Sequence, residues 1–84
     1  MEVKVTKKNE ILHIQWQLSN IEIPFSKIIE VLNDDTYAGK VKNGIRIGLP
    51  DGQTERVVIN TDSDAYIIFT SNAGLKEKIL SFMN

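Results

Sequence analysis

Apolar residues recur at every second position through most of this chain, the period of a β-strand with one buried face. Val3 and Val5 alternate with Lys4 and Thr6, and Leu12, Ile14, Trp16 and Leu18 alternate with His13, Gln15 and Gln17. Ile21, Ile23 and Phe25 alternate with Glu22 and Pro24. Ile45, Ile47 and Leu49 repeat the pattern, and Val57 and Ile59 share one side of a segment that puts Val58 on the other. Residues 65–70 are apolar on both faces, as a central strand requires. So regular a period of two excludes a helical bundle and predicts a sheet protein.

The breaks in the pattern fall at turn-forming residues. Lys8-Asn9-Glu10 reads as a hairpin turn, because Asn tolerates the left-handed conformation that tight turns use. Ser19-Asn20 reads as a second turn, Asn43-Gly44 as a third, Pro50-Asp51-Gly52-Gln53 as a fourth and Asp62-Ser63-Asp64 as a fifth. Pro24 has no amide to donate to a ladder, so its strand ends there or lies on an edge. Residues 26–33 fit two readings. Ser26 can cap a helix carrying Ile28, Ile29 and Leu32 on one face, but β-branched residues and a length of about eight make that helix marginal. A helical turn at 25–27 leading into a fourth strand is preferred. The chain closes differently: Ser71 or Asn72 can cap a helix of about ten to twelve residues, with Leu75, Ile79, Phe82 and Met83 on its inner face. The prediction is a mainly β fold of six or seven antiparallel strands in a two-sheet sandwich or partly open barrel, capped by a C-terminal helix.

Composition narrows the function by subtraction. At 84 residues the chain forms one domain, 1–84. It has no cysteine and a single histidine, so disulfides, iron–sulfur clusters, thiol catalysis and His-pair metal motifs are excluded. Ten basic and eleven acidic residues leave a net charge of −1, unlike the basic signature of nucleic-acid binders, and no nucleic-acid partner is expected. No apolar run reaches the roughly 18 residues of a membrane span. Residues 1–8 lack the apolar core of a signal peptide, so a cytoplasmic location is expected.

The layout resembles the pleckstrin-homology (PH)-like fold, in which a C-terminal helix closes one corner of two sheets. Four stretches carry a closer likeness: Ile23-Pro24-Phe25-Ser26-Lys27-Ile28-Ile29-Glu30-Val31, Arg46-Ile47-Gly48-Leu49-Pro50, Val57-Val58-Ile59-Asn60-Thr61 and Tyr66-Ile67-Ile68-Phe69-Thr70-Ser71-Asn72. Together they resemble a small bacterial PH-like family, spanning Val3 to Phe82, that includes the sublancin immunity protein. The resemblance implies a non-enzymatic module linked to bacteriocin immunity or cell-envelope stress. It supplies no functional residues to carry over.

Candidate chemistry is sparse. Asp34-Asp35 and Asp62-Ser63-Asp64 lack calcium-loop spacing and read as turns, so no metal is expected. His13 lacks a nucleophile, and Gly39–Gly44 has phosphate-loop glycine spacing without the Lys-Ser/Thr that should follow. No enzymatic activity and no cofactor are expected. Lys7 and Lys8, placed at the first turn, are candidate anion-binding residues. Tyr37, Lys40, Lys42 and Arg46, in and beside the long irregular stretch 34–44, are candidate partner-binding residues. Trp16 continues a buried face and reads as core. The leading function is binding of a protein or peptide, which can pair with an exposed strand edge beside the terminal helix. The alternative is a peripheral contact with anionic membrane or phosphate headgroups through the basic residues. An open edge also permits a homo-oligomer.

Overall fold

A computed structural model describes residues 3–33, 44–48 and 55–83. The turn at Pro50–Gln53, Asn43 and the candidate residues Tyr37, Lys40 and Lys42 lie outside them. Among the described residues are seven strands and one α-helix: β1 (Lys4–Lys8), β2 (Ile11–Trp16), β3 (Ser19–Pro24), a 3-10 turn (Phe25–Lys27), β4 (Ile28–Asn33), β5 (Ile45–Ile47), β6 (Glu55–Thr61), β7 (Ala65–Thr70) and α1 (Leu75–Phe82).

The first three strands form an antiparallel meander in the order β1-β2-β3, and the other four form a second sheet in the order β4-β6-β7-β5. Residues 26–33 follow the preferred reading, a single 3-10 turn and then a strand. One pairing departs from the antiparallel expectation: β5 lies parallel to β7. The successive strands β5 and β6 run in opposite directions, but β7 sits between them. Apolar alternation reports which face is buried and says nothing about which strand is the neighbour.

The hairpin turns follow from matching of buried faces. Lys8 pairs with Ile11, leaving Asn9 (φ 54°) and Glu10 (φ 62°) as the two central residues. Positive φ at both positions is the type I′ geometry, whose twist suits a two-residue hairpin. Between β2 and β3, Leu12 opposes Ile23 and Ile14 opposes Ile21. That register pairs Trp16 with Ser19, so the turn is Gln17-Leu18 instead of Ser19-Asn20. Leu18 is thereby thrown off the apolar face onto a hairpin tip, where it is fully exposed.

The main core lies between the sheets. Val5, Leu12, Ile14 and Ile23 from the first, with Val3 just ahead of β1, meet Val31, Ile47, Val57, Ile59 and Ile68 from the second, joined by Leu75 and Ile79 of α1. Each fully buried Leu or Ile stabilises the fold by about 1.5–3 kcal/mol. The helix therefore closes the gap between the sheets, as the sequence predicts. It is eight residues long, shorter than expected, and its N-cap is Gly74, with no side-chain cap. Asn72 acts earlier: its Oδ1 accepts from the Gly74 amide (2.9 Å) and its carbonyl accepts from the Leu75 amide (3.2 Å), forming the turn that admits the helix. Eight residues are marginal alone, and burial of Leu75 and Ile79 holds them. Met83, expected on the inner face, is exposed beyond the helix end. A second buried cluster, Val58, Ile67 and Phe69, occupies the opposite face of the second sheet, which is why β7 is apolar on both sides.

Candidate functional site at the β4 edge

Among the described residues, strand order leaves four edges: β1 and β3 in the first sheet, β4 and β5 in the second. An open edge invites pairing with another chain, and sequences guard it with charge, proline or brevity. On β1, Lys4, Thr6, Lys7 and Lys8 are exposed around the single buried Val5. On β3, Ser19, Asn20 and Glu22 are exposed and Pro24 ends the strand. β5 is three residues long and includes the exposed Arg46.

The β4 edge is guarded differently. Its sequence Ile-Ile-Glu-Val-Leu-Asn buries only Val31, while Ile29 is 68% exposed and Leu32 is 40% exposed. The ladder with β6 is irregular at one point: Ile28 pairs with Thr61 and Glu30 with Asn60, so Ile29 is an extra residue bulged from the strand. A bulge of this kind re-aims a side chain and interrupts the ladder locally. From Glu30 to Asn33 the pairing is regular. β4 is also the strand against which α1 packs, so this edge runs beside the terminal helix. The side chain of Glu30 is fixed on the outer face, where the Asn60 amide Nδ2 donates to Oε2 at 2.8 Å. What the edge offers chemically is a strand ladder, two exposed aliphatic side chains and an oriented carboxylate.

Of the residues expected to carry function, the described ones, Lys7, Lys8 and Arg46, lie in two different sheets. Lys7 pairs with Leu12 and its ammonium lies 6.0 Å from the centroid of the Phe25 ring, at the outer limit of a cation–π contact. Lys8 is the next residue along the strand and points to the opposite face. Arg46 is in the other sheet, at the edge farthest from β4, opposite Ile67. Both lysines close β1 ahead of the Asn9-Glu10 turn. That turn is tied to the rest of the molecule: the Phe25 amide donates to the Glu10 carbonyl (3.1 Å), and the Asp62 amide donates to the Lys27 carbonyl (3.2 Å). The 3-10 turn thus joins two turns at one end of the molecule. Lys7, Lys8 and Lys27 adjoin these turns, as do Glu10, Asp62 and Asp64.

His13 Nδ1 lies 3.7 Å from Glu22 Oε2 on the outer face of the first sheet, a cross-strand neighbour too distant for a hydrogen bond. Trp16 is half-buried and packs against the core, as its place on the Leu12–Ile14 face predicts. The β4 residues were not singled out by sequence reasoning. The available signal was Ile28-Ile29, adjacent apolar residues that break the period of two where the bulge occurs.

Among the described residues, no helix is long and apolar enough to cross a membrane. A family model described as a SunI-like bacterial PH domain matches residues 1–81. A UPF0457 protein of Geobacillus thermodenitrificans is 53% identical, over 98% of this chain and 89% of its own length. The UPF0457 protein YnzG of Bacillus subtilis is 50% identical, over 94% of this chain and 96% of its own. A UPF0457 protein of Staphylococcus epidermidis is 41% identical, over 86% of this chain and 88% of its own. No solved structure matches the chain.

Proposed function

The chain belongs to the family of SunI-like bacterial PH domains, and on that premise we propose that it is a binding module that takes an extended segment of a partner protein along the free edge of β4. The observation that supports this is the contrast among the four edges. β1 and β3 carry charge, polar side chains or proline, and β5 is short, whereas β4 exposes Ile29 and Leu32 beside α1. An added strand would gain backbone hydrogen bonds from the edge, and alternate side chains would give selectivity. Tyr37, Lys40 and Lys42 belong to the same proposal, because they follow β4 directly in sequence. Arg46 lies on the far edge of the sheet and is left out of it.

The test is an amide-shift titration with a capped eight-residue peptide of alternating Val and Thr. Shifts concentrated in residues 30–33 and in α1, weakened by Leu32→Lys and unaffected by Leu18→Lys, support the reading. Shifts confined to β1, β3 or β5, or no shifts at millimolar peptide, overturn it.

A further inference from the structure

Within β4 one residue carries a formal charge, the surface carboxylate of Glu30. Glu30 occupies the middle of β4, between the bulged Ile29 and the buried Val31, and two residues from Leu32 on the same face. Asn60, its cross-strand neighbour, holds Oε2 through a hydrogen bond from Nδ2 at 2.8 Å. That partner is neutral, so it orients the carboxylate without cancelling its charge. Among the described residues Glu30 has no cationic partner. Its cross-strand position on the open side is where a residue of an added strand would stand, with β-carbons about 4.5–5.5 Å apart. Opposite charges directly across a ladder stabilise the pair, and like charges destabilise it.

Resting on the reading of β4 as a pairing edge, we infer that this edge selects an extended segment bearing a lysine or arginine opposite Glu30 and an apolar or β-branched residue two positions away, opposite Leu32. The cationic residue meets a carboxylate oriented by the hydrogen bond from Asn60, which supplies part of the side-chain ordering on the domain's side of the contact. Leu32 loses water when the second residue covers it. The bulge at Ile29 ends the regular ladder on the side of Ile28, which confines an added strand to the run from Glu30 onward and helps fix its register. An acidic segment is disfavoured, because its carboxylate would stand against Glu30.

The experiment uses the full chain and three capped peptides of alternating Val and Thr in which one central Thr is replaced by Lys, Gln or Glu. At low salt the order of affinity is Lys above Gln above Glu, with about three- to fivefold between Lys and Gln, the size of a partly exposed ion pair. That gap narrows as salt is raised toward 0.5 M. Glu30→Gln, which can still accept from Asn60, removes the preference and leaves the Gln peptide unchanged, and Glu30→Lys reverses the order. Equal binding of all three peptides to the parent chain overturns the charge inference while leaving the β4 edge as the binding strand. No binding of any peptide overturns the edge reading itself.

Discussion

A β-carbon placed on Gly48 would stand 2.7 Å from the carbonyl oxygen of Phe69, closer than real β-carbons approach an oxygen. Gly48 directly follows β5 with φ +95°, a conformation that favours glycine, and its bare α-carbon lets the chain turn away tight against β7. Neither partner can give easily, since the obstructing atom is backbone in the central strand of the sheet. Gly48→Ala therefore combines a strained φ with a clash and should destabilise the fold by about 2 kcal/mol or more. Urea unfolding followed by Trp16 fluorescence measures this. A loss below about 0.5 kcal/mol would show that β5 does not hold this approach in solution.

The opposite sign is expected at the first hairpin. Asn9 and Glu10 both adopt positive φ, and Glu10 is a residue type for which that costs about 1–2 kcal/mol. Glycine removes the strain but adds about 0.5–1 kcal/mol of chain entropy to be lost. The carbonyl that accepts from Phe25 is backbone and survives the change. Glu10→Gly should thus raise stability by roughly 0.5 kcal/mol, giving the Asn-Gly pair favoured in such turns. A higher urea midpoint with an unchanged slope is the expected result, and a lower midpoint would mean that the Glu10 side chain contributes more than its backbone strain costs.

Leu12 and Leu18 look equivalent in the alternating pattern and sit in opposite environments. Leu12 is fully buried opposite Ile23, and Leu18 is fully exposed at a hairpin tip. Leu12→Ala should cost about 2–5 kcal/mol, from lost burial and the cavity left behind. Leu18→Ala should change stability by less than about 0.5 kcal/mol. Thermal unfolding of the two variants side by side checks both values, and comparable losses would contradict the Trp16–Ser19 register.

That pair also shows where the sequence was legible and where it was not. Side-chain alternation depends only on which face is buried, so it located most strands and the two-faced character of β7 from the residues alone. It could not see where β2 stops, because the stop is set by register with β3, a relation between residues distant along the chain. The parallel placement of β5 was invisible for the same reason. Ser71 or Asn72 was expected as the helix cap, but Gly74 holds that position and Asn72 acts two residues before it. The β4 edge was legible only in part. Pro24 marks an edge from the sequence alone, whereas which other strands stand at an edge among the described residues depends on long-range pairing, and no local pattern of Ile29 and Leu32 encodes that.

The mixed charge at the Asn9-Glu10 end bears on membrane contact. A lysine near an anionic surface is worth about 1 kcal/mol when its neighbours are also basic. Here Lys7 and Lys8 project from opposite faces of β1, and Lys7 lies near the Phe25 ring. The 3-10 turn brings Lys27 to the same end, but hydrogen bonds tie that turn to the loops carrying Glu10, Asp62 and Asp64. Lys7, Lys8 and Lys27 adjoin turns that also carry Glu10, Asp62 and Asp64, so the formal charge of these six residues sums to zero and little net field reaches beyond a Debye length of about 8–10 Å. Replacing Lys7 and Lys8 together by glutamine should therefore change partitioning onto vesicles containing phosphatidylserine by less than about twofold at 0.15 M salt, a shift below about 0.4 kcal/mol. Vesicle sedimentation measures it directly. A tenfold loss would mean that the two lysines act jointly on an anion despite facing apart, and would favour the alternative of headgroup binding at this end of the molecule.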